Sequence, residues 1–161
     1  MRPQETQLQY PLSDMLPPPG QCVAVAPGVK WVRMGLPFAL DHINLWLLRD
    51  EIDGRAGWSI VDCGIDAPQS RAHWESLFAH ALEGLPVLRV IVTHMHPDHV
   101  GMAGWLTRKF NCRLWMTRLE YLHCRVLVAD TGREPPDDGL HFYRRAGWNE
   151  EAIEYLSLIH I

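Results

Sequence analysis

The sequence predicts an α+β chain whose strand-rich first part gives way to helices, and three observations predict it. Short apolar runs recur between Gln21 and Met116, set apart by Pro-Gly, Asp-Gly and Gly punctuation. Two stretches with helical spacing of apolar residues interrupt those runs, one opened by Pro68 and one by Pro97. From Arg118 onward the pattern is helical alone.

Each element has a local cause. Residues 1–20 are polar and Pro-rich, ending in Pro17-Pro18-Pro19-Gly20, and are expected to form a loose arm. Gln21 to Val25 and Val29 to Met34 read as a strand pair across the Pro27-Gly28 turn, and Ile43 to Leu48 as a third strand. Asp53-Gly54 and Gly57 make a hairpin into a fourth strand, Trp58 to Asp62. A helix is predicted from Pro68 to about Glu83. Its Trp74, Leu77, Phe78, Ala81 and Leu82 form one apolar stripe, with His73 and His80 at the margin and expected to be exposed. Gly84 and Pro86 end it before a buried strand, Val87 to Thr93. The next helix spans Asp98 to about Phe110 and closes at Asn111, before a strand from Cys112 to Met116. Three helices follow, Arg118 to Ala129, Asp138 to Ala146 and Asn149 to Leu156, broken at Glu134-Pro135-Pro136-Asp137.

Composition narrows the function classes. The 161 residues are 47% hydrophobic, enough for one domain with a core. Charged residues make up 21% and the net charge is −4, so there is no basic footprint for nucleic acid. Four cysteines, Cys22, Cys63, Cys112 and Cys124, form no C-x-x-C pair and suit free thiols in a reducing cytoplasm. No charged-then-apolar leader and no run near 18 apolar residues is present, so neither a signal peptide nor a membrane span is expected. Of seven tryptophans, Trp31, Trp46, Trp58, Trp74 and Trp105 fall inside predicted elements and are expected to pack in the core. His42 and Asn44 read as packed or surface positions in preference to ligands.

The chemistry concentrates in His94-Met95-His96-Pro97-Asp98-His99. Imidazole nitrogen and carboxylate oxygen are ligands of Zn²⁺ and similar divalent ions. In a chain of this composition, H-x-H-x-D-H arises by chance about twice in a thousand, which makes coincidence a poor explanation. His94 and His96 are two apart, so in extended chain they point the same way and can grip one ion. Pro97 disfavours helical geometry at His96 and starts the helix after it. Asp98 and His99 then sit in the first helical turn, displaced from the first pair, an arrangement that suits two neighbouring ions. A closed structural zinc site would lean on Cys or complete four familiar ligands, so an open catalytic site is the better reading.

Thr93-His94-Met95-His96-Pro97-Asp98-His99-Val100-Gly101 resembles the T-H-x-H-x-D-H-x-G signature of the metallo-β-lactamase superfamily, and Ile60-Val61-Asp62-Cys63-Gly64 resembles its strand-ending V-D-T-G element. The resemblance covers roughly Val23 to Thr117. It implies the first half of a four-layer αββα sandwich over residues 21–117. His94 and His96 would bind one metal, Asp98 and His99 the second, and Asp62 would steady the metal loops from behind. His96, where a Glu would mark the flavodiiron branch, places the site nearer the hydrolases. Cys63 stands where Thr or Ser is commoner, and Met102 where a second Gly often follows. A third metal His, a bridging Asp and a last His are also implied, and the remaining His123, His141 and His160 do not sit in the context they need. The chain is therefore expected to be an N-terminal fragment, with 118–155 a helical insertion or cover and 156–161 an adapter-derived tail.

The activity so implied is metal-dependent hydrolysis of an ester-like bond in a small molecule, on a site holding two Zn²⁺ ions, with Fe or Mn as other occupants. Asp98 would be both ligand and orienter of the attacking oxygen. A thioester of the hydroxyacylglutathione type leads, followed by lactones and β-lactams. Two rival readings are a mononuclear iron dioxygenase of the same fold and an inactive fragment that leaves a sheet face in water.

Overall fold

The computed structural model describes residues 11–12, 15–130 and 136–159. Most of the expected arm, Glu134-Pro135 of the predicted breaker and His160 lie outside them. The chain divides into two compact units, Met1–Thr117 and Arg118–Ile161.

The first unit is one six-stranded sheet in sequence order: β1 (Cys22–Ala26), β2 (Val29–Gly35), β3 (His42–Ile52), β4 (Arg55–Val61), β5 (Val87–Ile91) and β6 (Arg113–Trp115). The first four strands pair antiparallel and the last three parallel. The β3–β4 hairpin turns at Asp53-Gly54, both in the left-handed region (φ 53° and 75°), as a two-residue turn matched to strand twist requires. Pairing continues up to that turn, from Trp46 with Val61 to Ile52 with Arg55. Both strands are therefore longer than their apolar runs suggest.

The strand period of two divides the sheet's side chains between two faces. On one face Val32, Leu45, Leu47, Ile60 and Val90 are fully buried against Trp74 and Leu77 of α1 (Pro68–His80) and Leu106 of α3 (Ala103–Phe110). On the other face one lateral row crosses the whole sheet: Val23, Trp31, Trp46, Val61, Ile91 and Trp115. Its members are half-buried, apart from the exposed Trp115, and lie outside the core cluster. The expectation that tryptophans fill the core therefore holds for Trp58 and Trp74 and fails for Trp31 and Trp46, which the register sends to the opposite face. Trp105 is half-buried, packed beside Phe78 and the core edge.

Two helix predictions need correction. The helix opened by Pro68 ends at His80, capped by Ala81, because Glu83 and Gly84 adopt positive φ. His80 is exposed as expected, but His73 is half-buried. The helix predicted from Asp98 to Phe110 is two pieces, α2 (Pro97–Val100) and α3, separated at Gly101-Met102. A Cβ on Gly101 would lie 2.5 Å from the Pro97 carbonyl oxygen, 2.6 Å from the Asp66 nitrogen and 2.9 Å from the Gly64 carbonyl oxygen. The break thus follows from close backbone approach to the loop after β4. Asn111 ends α3 in the left-handed conformation (φ 47°), as predicted.

The second unit holds α4 (Arg118–Asp130), α5 (Asp137–Arg145) and α6 (Glu150–Ile159). Arg144 bridges to Glu150 through two hydrogen bonds, and Tyr143 packs against Phe142 and Trp148. α6 runs through residues 156–159 of the segment expected as a tail. Among the described residues no helix is long and apolar enough to cross a membrane.

Candidate metal centre

Two loops leave the carboxyl ends of the adjacent parallel strands β4 and β5, and every predicted ligand lies on the second of them. Main-chain bonds hold both ends in place: Asp62 N–H donates to the Ile91 carbonyl (2.8 Å) and Val92 N–H to the Trp115 carbonyl (2.9 Å). After β5 the chain bends at Thr93-His94 and is extended at His96 (φ −59°, ψ 143°), where Pro97 at the first helical position starts α2. The α2 turn is fastened to the other loop. Cys63 N–H donates to the His99 carbonyl (2.8 Å) and Met102 N–H to the Gly64 carbonyl (3.1 Å).

This framework brings the three imidazoles together. His94 Nε2 and His96 Nδ1 face each other at 3.0 Å, and the His94 and His99 ring centroids are 3.8 Å apart. Two nitrogens on one tetrahedral Zn²⁺, at bond lengths near 2.0–2.1 Å, stand about 3.3 Å apart, so the first pair is close to ligand spacing. His99 Nε2 lies 3.6 Å from Asp98 Oδ2, which makes a second pair. Among the described residues no group of three or more His, Cys, Asp or Glu is placed to hold one ion together. The donor chemistry fits divalent metal, and the geometry supplies it two donors at a time.

Asp62 sits behind both pairs, with its side chain 7% exposed. Oδ1 accepts the Thr93 backbone N–H (2.8 Å), and Oδ2 accepts the Thr93 hydroxyl (2.8 Å) and His99 Nδ1 (2.9 Å). The contact with His99 leaves that ring's Nε2 toward Asp98, the orientation a ligating histidine needs. His94 is held below the usual histidine pKa, first by burial and then by the neighbouring imidazoles of His99 and His96, which favours its neutral form. A neutral imidazole is the form that ligates.

The two departures from the sequence signature are structural. Cys63 is buried and its thiol is pushed well above the usual value by desolvation, which makes it an inert neighbour rather than a ligand. Its carbonyl accepts the Trp74 indole N–H at 2.7 Å. Met102 is fully buried in the core. His42 and Asn44 are also engaged locally: His42 Nδ1 lies 2.8 Å from Arg33 Nη2, and Asn44 Oδ1 accepts the Trp31 indole N–H at 2.8 Å. His123 and His141 are exposed on α4 and α5. One participant escaped sequence reading. Thr93 touches Asp62 twice, His94 Nδ1 at 3.0 Å and His99 Nδ1 at 3.5 Å, and its signal in the sequence was its place as the first residue of the signature, with no role attached.

Comparison with known proteins identifies the family and the fold. The family model described as the metallo-beta-lactamase superfamily matches residues 39–155. That match begins in the loop before β3 and runs into α6, so it takes in most of the helical segment. A beta-lactamase domain protein from Burkholderia ambifaria superposes with a TM-score of 0.75 at 59% identity, over 78% of this chain and 40% of its own. A metallo-beta-lactamase family protein from Thermus thermophilus does so with a TM-score of 0.50 at 23% identity, over 71% of this chain and 41% of its own. The chain thus spans about two fifths of the length of these solved proteins. Comparison with curated proteins returned no match.

Proposed function

The chain belongs to the metallo-beta-lactamase superfamily, and from that membership we propose that it carries the metal centre of a hydrolase that cleaves an ester-like bond in a small molecule. The observation that carries this reading is the gathering of His94, His96, Asp98 and His99 on the loop after β5, with Asp62 behind them on the loop after β4.

His94 and His96 would hold one divalent ion, and Asp98 with His99 a second. Zinc is the first choice on donor type, with iron or manganese as other occupants. A divalent ion held there would supply Lewis-acid chemistry and a water that ionises near neutral pH. The residues supply the rest. Asp62 fixes the His99 ring through Nδ1, so that Nε2 faces Asp98. Asp98, in the first turn of α2 and 20% exposed, is open enough to accept a hydrogen bond from the attacking water and aim it. Among substrates, a thioester of the hydroxyacylglutathione type leads on resemblance, ahead of lactones and β-lactams.

The test is a substrate panel of thioesters, lactones, β-lactams and phosphodiesters, run on zinc-loaded protein at its native length. Thioester turnover that falls at least about 10³-fold in Asp98→Asn supports the reading. Turnover unaffected by that substitution, or by removing both His94 and His96, overturns it.

A further inference from the structure

Asp62 reaches the two donor pairs by different routes. It touches His99 directly, with Oδ2 at 2.9 Å from Nδ1. Toward His94 it makes no such bond; the Thr93 hydroxyl stands between, 2.8 Å from Asp62 Oδ2 and 3.0 Å from His94 Nδ1. We infer that Thr93 is a positioning residue: its hydroxyl carries the influence of Asp62 to His94 and fixes that ring with its proton on Nδ1.

Hydrogen-bond accounting gives the direction. A threonine hydroxyl has one proton and two lone pairs, and an ionised carboxylate can only accept. The hydroxyl proton is therefore committed to Asp62 Oδ2, which leaves Oγ1 as an acceptor facing His94 Nδ1. His94 must then carry its proton on Nδ1, and Nε2 is left with its lone pair toward His96. The Thr93 side chain cannot swing out of this position cheaply. Its own N–H is bound to Asp62 Oδ1 at 2.8 Å, and branching at Cβ narrows its choice of rotamers. One buried carboxylate thus sets one imidazole of each pair, directly for His99 and through a hydroxyl for His94. The alternative acceptor of the Thr93 hydroxyl proton, His94 Nδ1, would leave Asp62 Oδ2 with His99 Nδ1 as donor but facing the Thr93 oxygen lone pairs at 2.8 Å, and would turn His94 Nε2 into an N–H unable to ligate.

The part of this inference that concerns metal rests on the hydrolase reading; the part that concerns the proton does not. Long-range ¹H–¹⁵N spectra of metal-free protein at pH 8 report the tautomer of each histidine ring, and chelator competition reports Zn²⁺ affinity. In the wild type, His94 is expected as the Nδ1–H form. Thr93→Val, of the same shape without the hydroxyl, should release His94 into a tautomer mixture while His99 keeps its Nδ1–H form as an internal check on folding. Zinc affinity should drop about 10- to 100-fold in Thr93→Val and return to within a few-fold of wild type in Thr93→Ser. An unchanged His94 tautomer in Thr93→Val, or equal zinc affinities for the Val and Ser variants, overturns the inference. A wild-type protein that binds no zinc sinks the hydrolase reading, and the tautomer comparison still decides the role of Thr93.

Discussion

Asp62 occupies the left-handed backbone region at φ 58°, where Asp and Asn are the non-glycine residues best tolerated, because their short side chains bond locally. The position therefore has two demands, a backbone tolerance and a carboxylate with three hydrogen bonds to receive. Substitution separates them. Asp62→Asn keeps the backbone tolerance and one acceptor oxygen, and is expected to cost about 1–2 kcal/mol. Asp62→Ala loses both, leaves Thr93 and His99 without partners, and is expected to cost about 2–4 kcal/mol. Urea denaturation of metal-free protein checks the order; equal stability for the two variants would contradict it. The candidate ligands His94, His96, Asp98 and His99, and Asp62 beside them, stood out in the sequence because their types and spacing are chemically unusual. The role of Thr93 did not, since a hydroxyl before a histidine is commonplace and the Asp62 that gives it meaning lies 31 residues away.

Elements place these residues, and two contacts between elements can be tested alone. Gly101 lets α2 lie against the loop after β4, and the atoms that a Cβ would strike are backbone atoms that cannot turn aside. Gly101→Ala should cost about 1–3 kcal/mol and weaken zinc binding without touching a ligand, as read by denaturation and chelator competition. Unchanged stability would show that the approach is looser than drawn. On the sheet, Asp50 of β3 accepts bonds from Ser59 of β4 and Arg89 of β5 (Arg89 Nε at 2.7 Å), which ties three strands together. Desolvation pushes the Asp50 carboxyl up, but those two bonds, the Glu51 N–H and the Arg89 charge outweigh it and leave it below the usual value. A depressed carboxyl contributes stability above its unfolded pKa of about 3.9, and that contribution is lost as pH falls through the lower folded value. Asp50→Asn should therefore destabilise the protein at pH 7 and flatten the loss of stability below about pH 4. A variant as acid-sensitive as wild type would rule this out. Turn chemistry made the hairpin at Asp53-Gly54 readable in advance. The break at Gly101-Met102 was hidden, because its cause is a neighbouring loop and not a local breaker.

At the scale of the molecule, α1 and α3 pack on the apolar face of the sheet, and the other face carries an apolar row beside the polar Arg33, Asn44, Asp50, Ser59 and Arg89. Strand register sends Trp31, Trp46 and Trp115 to the other, a row that periodicity within single strands could not reveal because it forms only across five pairings. Solved relatives are about two and a half times as long as the stretch they share with this chain. The 161-residue chain is expected to self-associate through that row, as read by sedimentation. A monomer would contradict that. The central claim is that four side chains after β5 jointly take divalent metal, and metal content measures it most directly. Native-length protein purified with zinc should carry two ions per chain, lose about one in His94→Ala/His96→Ala and about one in Asp98→Ala/His99→Ala, and none should remain when all four are replaced. Zinc content that stays the same in the fourfold variant would contradict the account.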